Sequence, residues 1–191
     1  MSPAPIRAVA IGASAGAVQA LQTILPALPA DYRLPVLVVV HVPSDRDNQL
    51  APLLRAQCAV PVREAADKEP VAAGVIYFAP SDYHLLVETE ETLALSADET
   101  VNYSRPSIDV LFESAADAYG DGLVGVILTG ANHDGAAGLK AIANAGGQVI
   151  VEDPGGAYAS AMPLAALAAC PNATTMNLDA IASYLASLGA P

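Results

Sequence analysis

Apolar runs with the length of a β-strand alternate along the chain with segments of helical periodicity. The clearest run, Val36–Val40, contains no polar residue, which is typical of a parallel strand buried on both faces. Similar runs occupy residues 8–11, 75–78, 123–128 and 148–151. We therefore predict a mostly parallel sheet built from these strands.

Helical spacing of apolar residues follows most of these strands. It is found in residues 18–28, 48–57, 108–119 and 135–145. Two further helices close the chain, and Asn177 is the expected cap of the last one. Strands that alternate with helices in this way favour parallel pairing with helical crossovers.

Residues 84–96 have a different pattern. Two short apolar stretches there flank an acidic turn, which predicts an antiparallel hairpin. The whole pattern predicts one α/β domain over residues 1–191. We expect a doubly wound, mostly parallel sheet with helices on both faces and one antiparallel hairpin.

The charge of the chain excludes some classes of partner. There are 20 acidic and 8 basic residues, so the net charge at pH 7 is −12. A nucleic-acid backbone or an anionic membrane surface would be repelled, and no cluster of Lys and Arg offsets this. No apolar run reaches the roughly 20 residues of a membrane span. We expect neither nucleic-acid binding nor membrane insertion.

Two features bear on the compartment. Cys58 and Cys170 follow no metal or redox spacing, so we expect two buried free thiols in a reducing environment. Residues 8–30 are uncharged and resemble a secretion signal, but Gly, Ser, Gln and Thr residues interrupt the apolar run that such a signal needs. We therefore predict a cytoplasmic protein.

A serine stands at the corner between the first strand and the first helix. Ser14 is the centre of a G-x-S-x-G sequence that begins at Gly12 and ends at Gly16. Such a corner exposes the serine oxygen at the strand end, and the helix N-terminus directs free N–H groups at a bound anion. The N–H of Ala15 is then a natural donor to an oxyanion.

Two further strand ends carry the partners that a serine nucleophile needs. His41 follows Val36–Val40, and Asp134 lies in the loop after residues 123–128. Because ligands of open α/β sheets bind at the carboxyl ends of the strands, Ser14, His41 and Asp134 are expected to converge there. Histidine can take the serine proton, and a buried carboxylate can orient the imidazole.

Each of these residues also has a structural interpretation. Ser14 and Asp134 could cap the helices that follow them, and His41 could be a hydrogen-bonded core histidine. His133 and His84 are the other candidate bases, although His84 opens a hairpin strand and is expected to be structural. The coincidence at three strand ends favours the catalytic interpretation.

Two other kinds of site fit the residues poorly. A dinucleotide loop would need G-x-G-x-x-G and an acidic residue after the second strand, where His41 stands. A metal site could be sought among His41, His133, Asp134 and Asp153, but their spacing matches no known ligand pattern.

The chain resembles the catalytic domain of the CheB family, the chemotaxis protein-glutamate methylesterases, from about residue 9 to residue 167. The motifs are Ile11-Gly-Ala-Ser-Ala-Gly, Val40-His-Val-Pro, Tyr77-Phe-Ala-Pro, Arg105-Pro-Ser-Ile-Asp-Val-Leu-Phe, Gly125-Val-Ile-Leu-Thr-Gly, Asp134-Gly-Ala-Ala-Gly, Asp153-Pro and Met162-Pro. The resemblance implies a doubly wound α/β serine esterase that hydrolyses glutamate γ-methyl esters on chemoreceptors, and in some members deamidates receptor glutamines.

The resemblance also assigns roles to residues. It implies Ser14, His41 and Asp134 as the triad and the N–H of Ala131 as a second oxyanion donor, with no cofactor. The chain departs from the family at Ala17, where glycine is usual, and at Ala131, where methionine is common. Many members also carry an N-terminal receiver domain, so we expect that control to be missing or supplied in trans. A CheB-like signalling module that binds a partner without hydrolysis remains the alternative.

Docking of an acidic receptor on an acidic chain requires a local basic patch. Arg105 and Arg46 are the best candidates near the expected cleft. Arg105 could equally pair with Asp109 and serve the structure. We expect Arg105 to contribute to substrate binding.

Overall fold

The computed structural model describes residues 4–41 and 49–189, and in them strands and helices alternate as the apolar pattern predicts. The strands are β1 (Ala8–Ala13), β2 (Val36–Val40), β3 (Val62–Glu64), β4 (Ile76–Phe78), β5 (His84–Val87), β6 (Leu93–Ser96), β7 (Leu123–Ile127), β8 (Gln148–Glu152) and β9 (Thr174–Met176). The helices are α1 (Ala17–Ile24), α2 (Leu50–Arg55), α3 (Ile108–Tyr119), α4 (Ala136–Asn144), α5 (Ala161–Ala169) and α6 (Leu178–Leu188).

Seven parallel strands form the main sheet, in the order β3-β4-β2-β1-β7-β8-β9. From β1 the chain first forms β2, β3 and β4 on one side of the sheet. It then crosses to the other side of β1 and forms β7, β8 and β9 there. The strand order therefore reverses between β1 and β7, and this reversal opens a crevice at the carboxyl edge. The predicted doubly wound sheet is confirmed.

Helices cover both faces of this sheet, because successive side chains of a strand point to opposite sides. Val9, Ile11 and Ala13 of β1 pack in the core beneath α1, α2 and α6. Ala8 and Ala10 face the opposite core, beneath α3, α4 and α5. The hairpin of β5 and β6 packs on this second face and pairs antiparallel, as the sequence predicts.

Some elements differ from the prediction. β3 and β9 were not predicted, because each has only three residues and its pattern is too short to distinguish from a loop. Helix α2 begins at Leu50 and ends at Arg55, shorter than residues 48–57, and residue 48 lies outside the described residues. Asn177 caps α6 as predicted, since its side chain accepts the N–H of Ala180 at 2.8 Å.

The thiols remain unpaired, with Cys170 buried and Cys58 only half-buried. Burial raises the pKa of Cys58 to about 11, so this thiol is a weak nucleophile at neutral pH. No helix within the described residues is long and apolar enough to cross a membrane.

Gly135 should tolerate no side chain. Its φ is +93°, and a Cβ atom would lie 2.5 Å from Ile127 Cδ1. We expect Gly135→Ala to lower the free energy of unfolding by about 2–4 kcal/mol, from left-handed backbone strain and overpacking. Urea unfolding measures this, with Gly156→Ala as control because the nearest atom to its Cβ is 3.9 Å away. Equal stabilities of the two variants would contradict the prediction.

Candidate active site

The ends of three adjacent strands bring Ser14, His41 and Asp134 to one edge of the sheet. β1 lies between β2 and β7, with Ala13 opposite Val40 and Gly12 opposite Ile127. The backbone continues this alignment past the strands, because the His41 N–H donates to the carbonyl of Ala13 at 3.2 Å. The Ser14 N–H donates in turn to the carbonyl of Thr129 at 2.9 Å. The three residues are thus held at the switch point.

The serine corner leaves the Ser14 hydroxyl free. Gly16, with a φ of +86°, is the residue that caps α1, and it is the backbone carbonyl of Ser14 that accepts the N–H of Ala17 at 2.9 Å. The hydroxyl makes no hydrogen bond with any described residue, so Ser14 is not a side-chain cap. The Ala17 methyl group is buried in the core beneath α1.

His41 and Asp134 form a short hydrogen bond. Nε2 of His41 lies 2.7 Å from Oδ2 of Asp134, whose side chain is fully buried, whereas the His41 side chain is 12% exposed. The carboxylate oxygen accepts, so Nε2 carries the proton and Nδ1 presents its lone pair. Nδ1 is therefore the nitrogen that can take up a proton from a neighbouring hydroxyl.

The Asp134 carboxylate lies at the N-terminus of α3, a helix that does not follow it in sequence. Within the described residues its oxygens accept six hydrogen bonds, from His41, the Asn102 amide, the Ser107 hydroxyl and the backbone N–H groups of Ile108, Asp109 and Gly135. Burial by itself would raise the pKa of Asp134, but these donors outweigh it and the pKa lies below its ordinary value. The carboxylate stays ionised beside the imidazole.

A second buried carboxyl lies beside the first. Asp109 accepts the N–H of Gly138 at 2.6 Å, and the Asn102 amide donates to both Asp109 and Asp134 at 2.8 Å. Burial raises the pKa of Asp109, and the charge of Asp134 raises it further. Asn102 therefore bridges two carboxyl groups, and the pKa of Asp134 is lowered whereas the pKa of Asp109 is raised.

Two backbone donors near the serine are available. Neither the N–H of Ala15 nor that of Ala131 donates to any described residue. The strand end that carries Ala131 is firmly held, because Gly130 donates to the carbonyl of Ala159 at 3.0 Å and accepts from Met162 at 2.9 Å. Ala131 itself is an exposed residue.

The carboxyl of Glu152 supports the same loop. It is 2% exposed and accepts the N–H of Thr129 at 2.7 Å. The Thr129 hydroxyl donates to the carbonyl of Ala15 at 2.8 Å, which ties the two strand ends together. Burial raises the pKa of Glu152, and the bond from Thr129 opposes that rise. The sequence signal for Glu152 was a charged residue at the end of an apolar strand.

Asn132 was not predicted as part of the site. Its Nδ2 lies 3.3 Å from Nδ1 of His41, and its Oδ1 accepts the N–H of Asp134 at 3.1 Å. The only sequence signal was an amide side chain two residues before Asp134, which is also common in ordinary turns.

The other candidate residues have different surroundings. His84 is buried and bonded to backbone, with Nδ1 accepting from Ser107 at 3.1 Å and Nε2 donating to Glu99 at 2.9 Å. His133 is exposed. Among the residues the structure describes, no group of three or more His, Cys, Asp or Glu residues could hold a metal ion.

Arg105 pairs with Asp82, and the alternative pairing with Asp109 is wrong. Its guanidinium donates to the Asp82 carboxylate at 2.6 Å and to the carbonyls of Ala97 and Asp98. Asp109 is instead occupied by Asn102 and Gly138, which reach it inside the core. The arginine is 23% exposed, and its role in substrate binding stays a prediction. Arg46 lies outside the described residues.

A serine, a histidine and a buried aspartate at the switch point of a doubly wound sheet form an arrangement typical of serine hydrolases. The family model for CheB methylesterase matches residues 9–185. The chain belongs to the CheB methylesterase family.

Similar proteins agree with this membership. A Leptospira interrogans protein is 44% identical over 181 residues, covering 95% of this chain and 94% of its own. The protein-glutamate methylesterase/protein-glutamine glutaminase of Symbiobacterium thermophilum is 44% identical over 83% of this chain. The protein-glutamate methylesterase/protein-glutamine glutaminase 2 of Caulobacter vibrioides is 37% identical over 96% of this chain. The chain spans 44% and 54% of the length of these last two relatives.

A solved structure has the same architecture. The CheB methylesterase catalytic domain of Thermotoga maritima superposes with a TM-score of 0.90 at 31% identity. The match covers 97% of this chain and all of that domain. The fold is therefore retained although about two thirds of the residues differ.

Asp134 should make stability depend on pH. Because its pKa in the folded state is below the ordinary 3.8, the unfolded chain binds more protons, and the stabilisation is lost as pH falls through the folded-state value. We expect Asp134→Asn to lower the free energy of unfolding by about 1.5–3 kcal/mol near pH 7, and by less below about pH 4. Unfolding free energies between pH 3 and 7 measure this, with the exposed Asp117→Asn on α3 as control. A cost that does not change with pH would contradict it.

Proposed function

We propose that this chain is a cytoplasmic serine esterase that hydrolyses glutamate γ-methyl esters on proteins. Ser14, His41 and Asp134 are its triad. The observation that carries the proposal is the 2.7 Å pair of His41 and the ionised Asp134 at the same sheet edge as the free Ser14 hydroxyl. The two free thiols favour a reducing compartment.

The reaction follows from the arrangement of the protons. The Ser14 oxygen attacks the ester carbonyl while its proton passes to Nδ1 of His41, and Asp134 stabilises the resulting imidazolium. Collapse of the tetrahedral intermediate breaks the bond to the methoxy group, which leaves as methanol with the proton from His41. Water then attacks the acyl-enzyme and gives one proton to His41. When the bond to Ser14 breaks, His41 returns this proton to the Ser14 oxygen, and the glutamate carboxyl group releases its own proton to solvent.

The N–H groups of Ala15 and Ala131 are the proposed donors to the oxyanion. Both are unbonded to the described residues and lie on two adjacent strand ends. A single donor of this kind stabilises a transition state by about 3–4 kcal/mol. Because backbone atoms supply these donors, the alanine side chain at position 131 need not impair them.

The same site can act on a glutamine side chain. Attack of Ser14 on the amide gives the same acyl-enzyme, and ammonia leaves in place of methanol with the proton from His41. Two of the relatives carry both activities in their names. We propose methylated chemoreceptor helices as the protein substrate, from membership of the family.

Replacement of Ser14 should abolish the chemistry. We expect Ser14→Ala to lower kcat for methanol release by at least about 10⁴-fold, because no other nucleophile occupies the corner. Methanol release from methylated receptor preparations measures this, and a fluorophosphonate probe should label the wild-type chain at Ser14. Ser187→Ala, an exposed serine of α6, is the control and should keep full activity. Persistent hydrolysis by Ser14→Ala would refute the mechanism, and a wild type that neither hydrolyses nor labels would favour a binding module.

Arg105 is the proposed docking cation for an acidic receptor. It is partly exposed and lies two residues before Ser107, which bonds to Asp134. We expect Arg105→Ala to raise KM several-fold with little change in kcat. Steady-state kinetics measure both, and Arg33→Ala, an exposed arginine before β2, controls for net charge. An unchanged KM would contradict a docking role. A variant in which kcat and thermal stability both fall would show that Arg105 has a purely structural role.

A further inference from the structure

The nitrogen of His41 that must accept the serine proton already has a partner. Nδ2 of Asn132 lies 3.3 Å from Nδ1 of His41. Because Asp134 holds the proton on Nε2, Nδ1 is an acceptor and the Asn132 amide is its donor. The Ser14 hydroxyl meanwhile bonds to none of the described residues. The amide therefore occupies the acceptor that the nucleophile needs.

The Asn132 side chain is held in this position at both ends. Its Oδ1 accepts the N–H of Asp134 at 3.1 Å, which forms a local turn in the loop after β7. The loop is also anchored on its other side by the two backbone bonds of Gly130. Asn132 is half-buried, so the folded loop partly encloses it where it contacts His41.

We propose that Asn132 is a positioning residue that occupies Nδ1 of His41 in the resting enzyme and yields this acceptor to Ser14 when a substrate ester binds. This inference rests on the proposed function, since it concerns how the same base is made available. In the resting state Asn132 orients the imidazole from one side while Asp134 orients it from the other.

The consequence is a competition between two donors for one lone pair. One neutral hydrogen bond changes the ratio of His41 bonded to Asn132 to His41 bonded to Ser14 by about two- to tenfold. Removal of the amide donor should therefore make the serine more reactive, which is the reverse of what loss of a merely structural residue does.

The rate of Ser14 labelling by a small neutral fluorophosphonate tests this competition. We expect Asn132→Ala to label about two- to tenfold faster than the wild type. The alanine also widens the cleft, so Asn132→Leu is the decisive variant. It keeps roughly the size of the side chain, but it has no proton to donate to Nδ1 and brings no charge beside the ring. It should also label faster.

His133→Ala is the matched control, because its side chain is exposed and adjacent in the same loop. Its labelling rate should equal that of the wild type. Equal or slower labelling of Asn132→Leu overturns the proposal, and slower labelling would mean that the amide assists the attack.

Nitrogen NMR of the His41 ring gives a second and independent result. The Nδ1 resonance of the wild type should be that of an unprotonated nitrogen accepting a hydrogen bond, and it should move toward the unbonded value in Asn132→Ala. An identical resonance in both proteins overturns the proposal. If the wild type is not labelled at Ser14 at all, the proposed function fails, and the resonance still decides whether Asn132 bonds to His41.

Discussion

The burial of the Asp134 carboxylate at the N-terminus of α3 is the interaction on which the rest of the site depends. A fully buried anion is costly unless it is bonded on all sides, and here six donors from three separate segments supply those bonds. The carboxylate thereby joins the loop after β7 to α3. Its Oδ2 accepts both the N–H of Ile108 and Nε2 of His41, so one set of hydrogen bonds serves both the packing of α3 and the orientation of the His41 imidazole.

The surroundings of this anion extend its order to neighbouring elements. The Asn102 amide bonds to both Asp134 and Asp109, and burial and the charge of Asp134 raise the pKa of Asp109. His84 bonds to the N–H of Ser107, so the hairpin contacts the same helix start. On the opposite side Glu152 and Thr129 tie the β7 end to the serine corner. Ser14 lies in one of these hydrogen-bond networks and His41 and Asp134 lie in the other, and both networks reach the same sheet edge.

The fold depends on the apolar pattern of the strands, whereas the contacts around His41 depend on particular side chains. The Thermotoga maritima domain keeps the architecture at 31% identity, because a buried parallel sheet requires apolar strands and close helices rather than particular side chains. In the loop after β7, Ala131 is exposed and the Asn132 amide lies beside His41.

The sequence by itself determined the alternation of strands and helices, the hairpin, and the three strand ends that carry Ser14, His41 and Asp134. These follow from local periodicity and from the rule that parallel strands end at a common edge. Only the tertiary structure decided the hydrogen-bond partners. Arg105 binds Asp82 rather than Asp109, Asp134 lies at the start of α3, and Asn132 meets His41. The physical reason is that each of these bonds joins segments far apart in the chain, and which donors face a buried carboxyl or ring is set by how α3 and the loops pack, which no local pattern records.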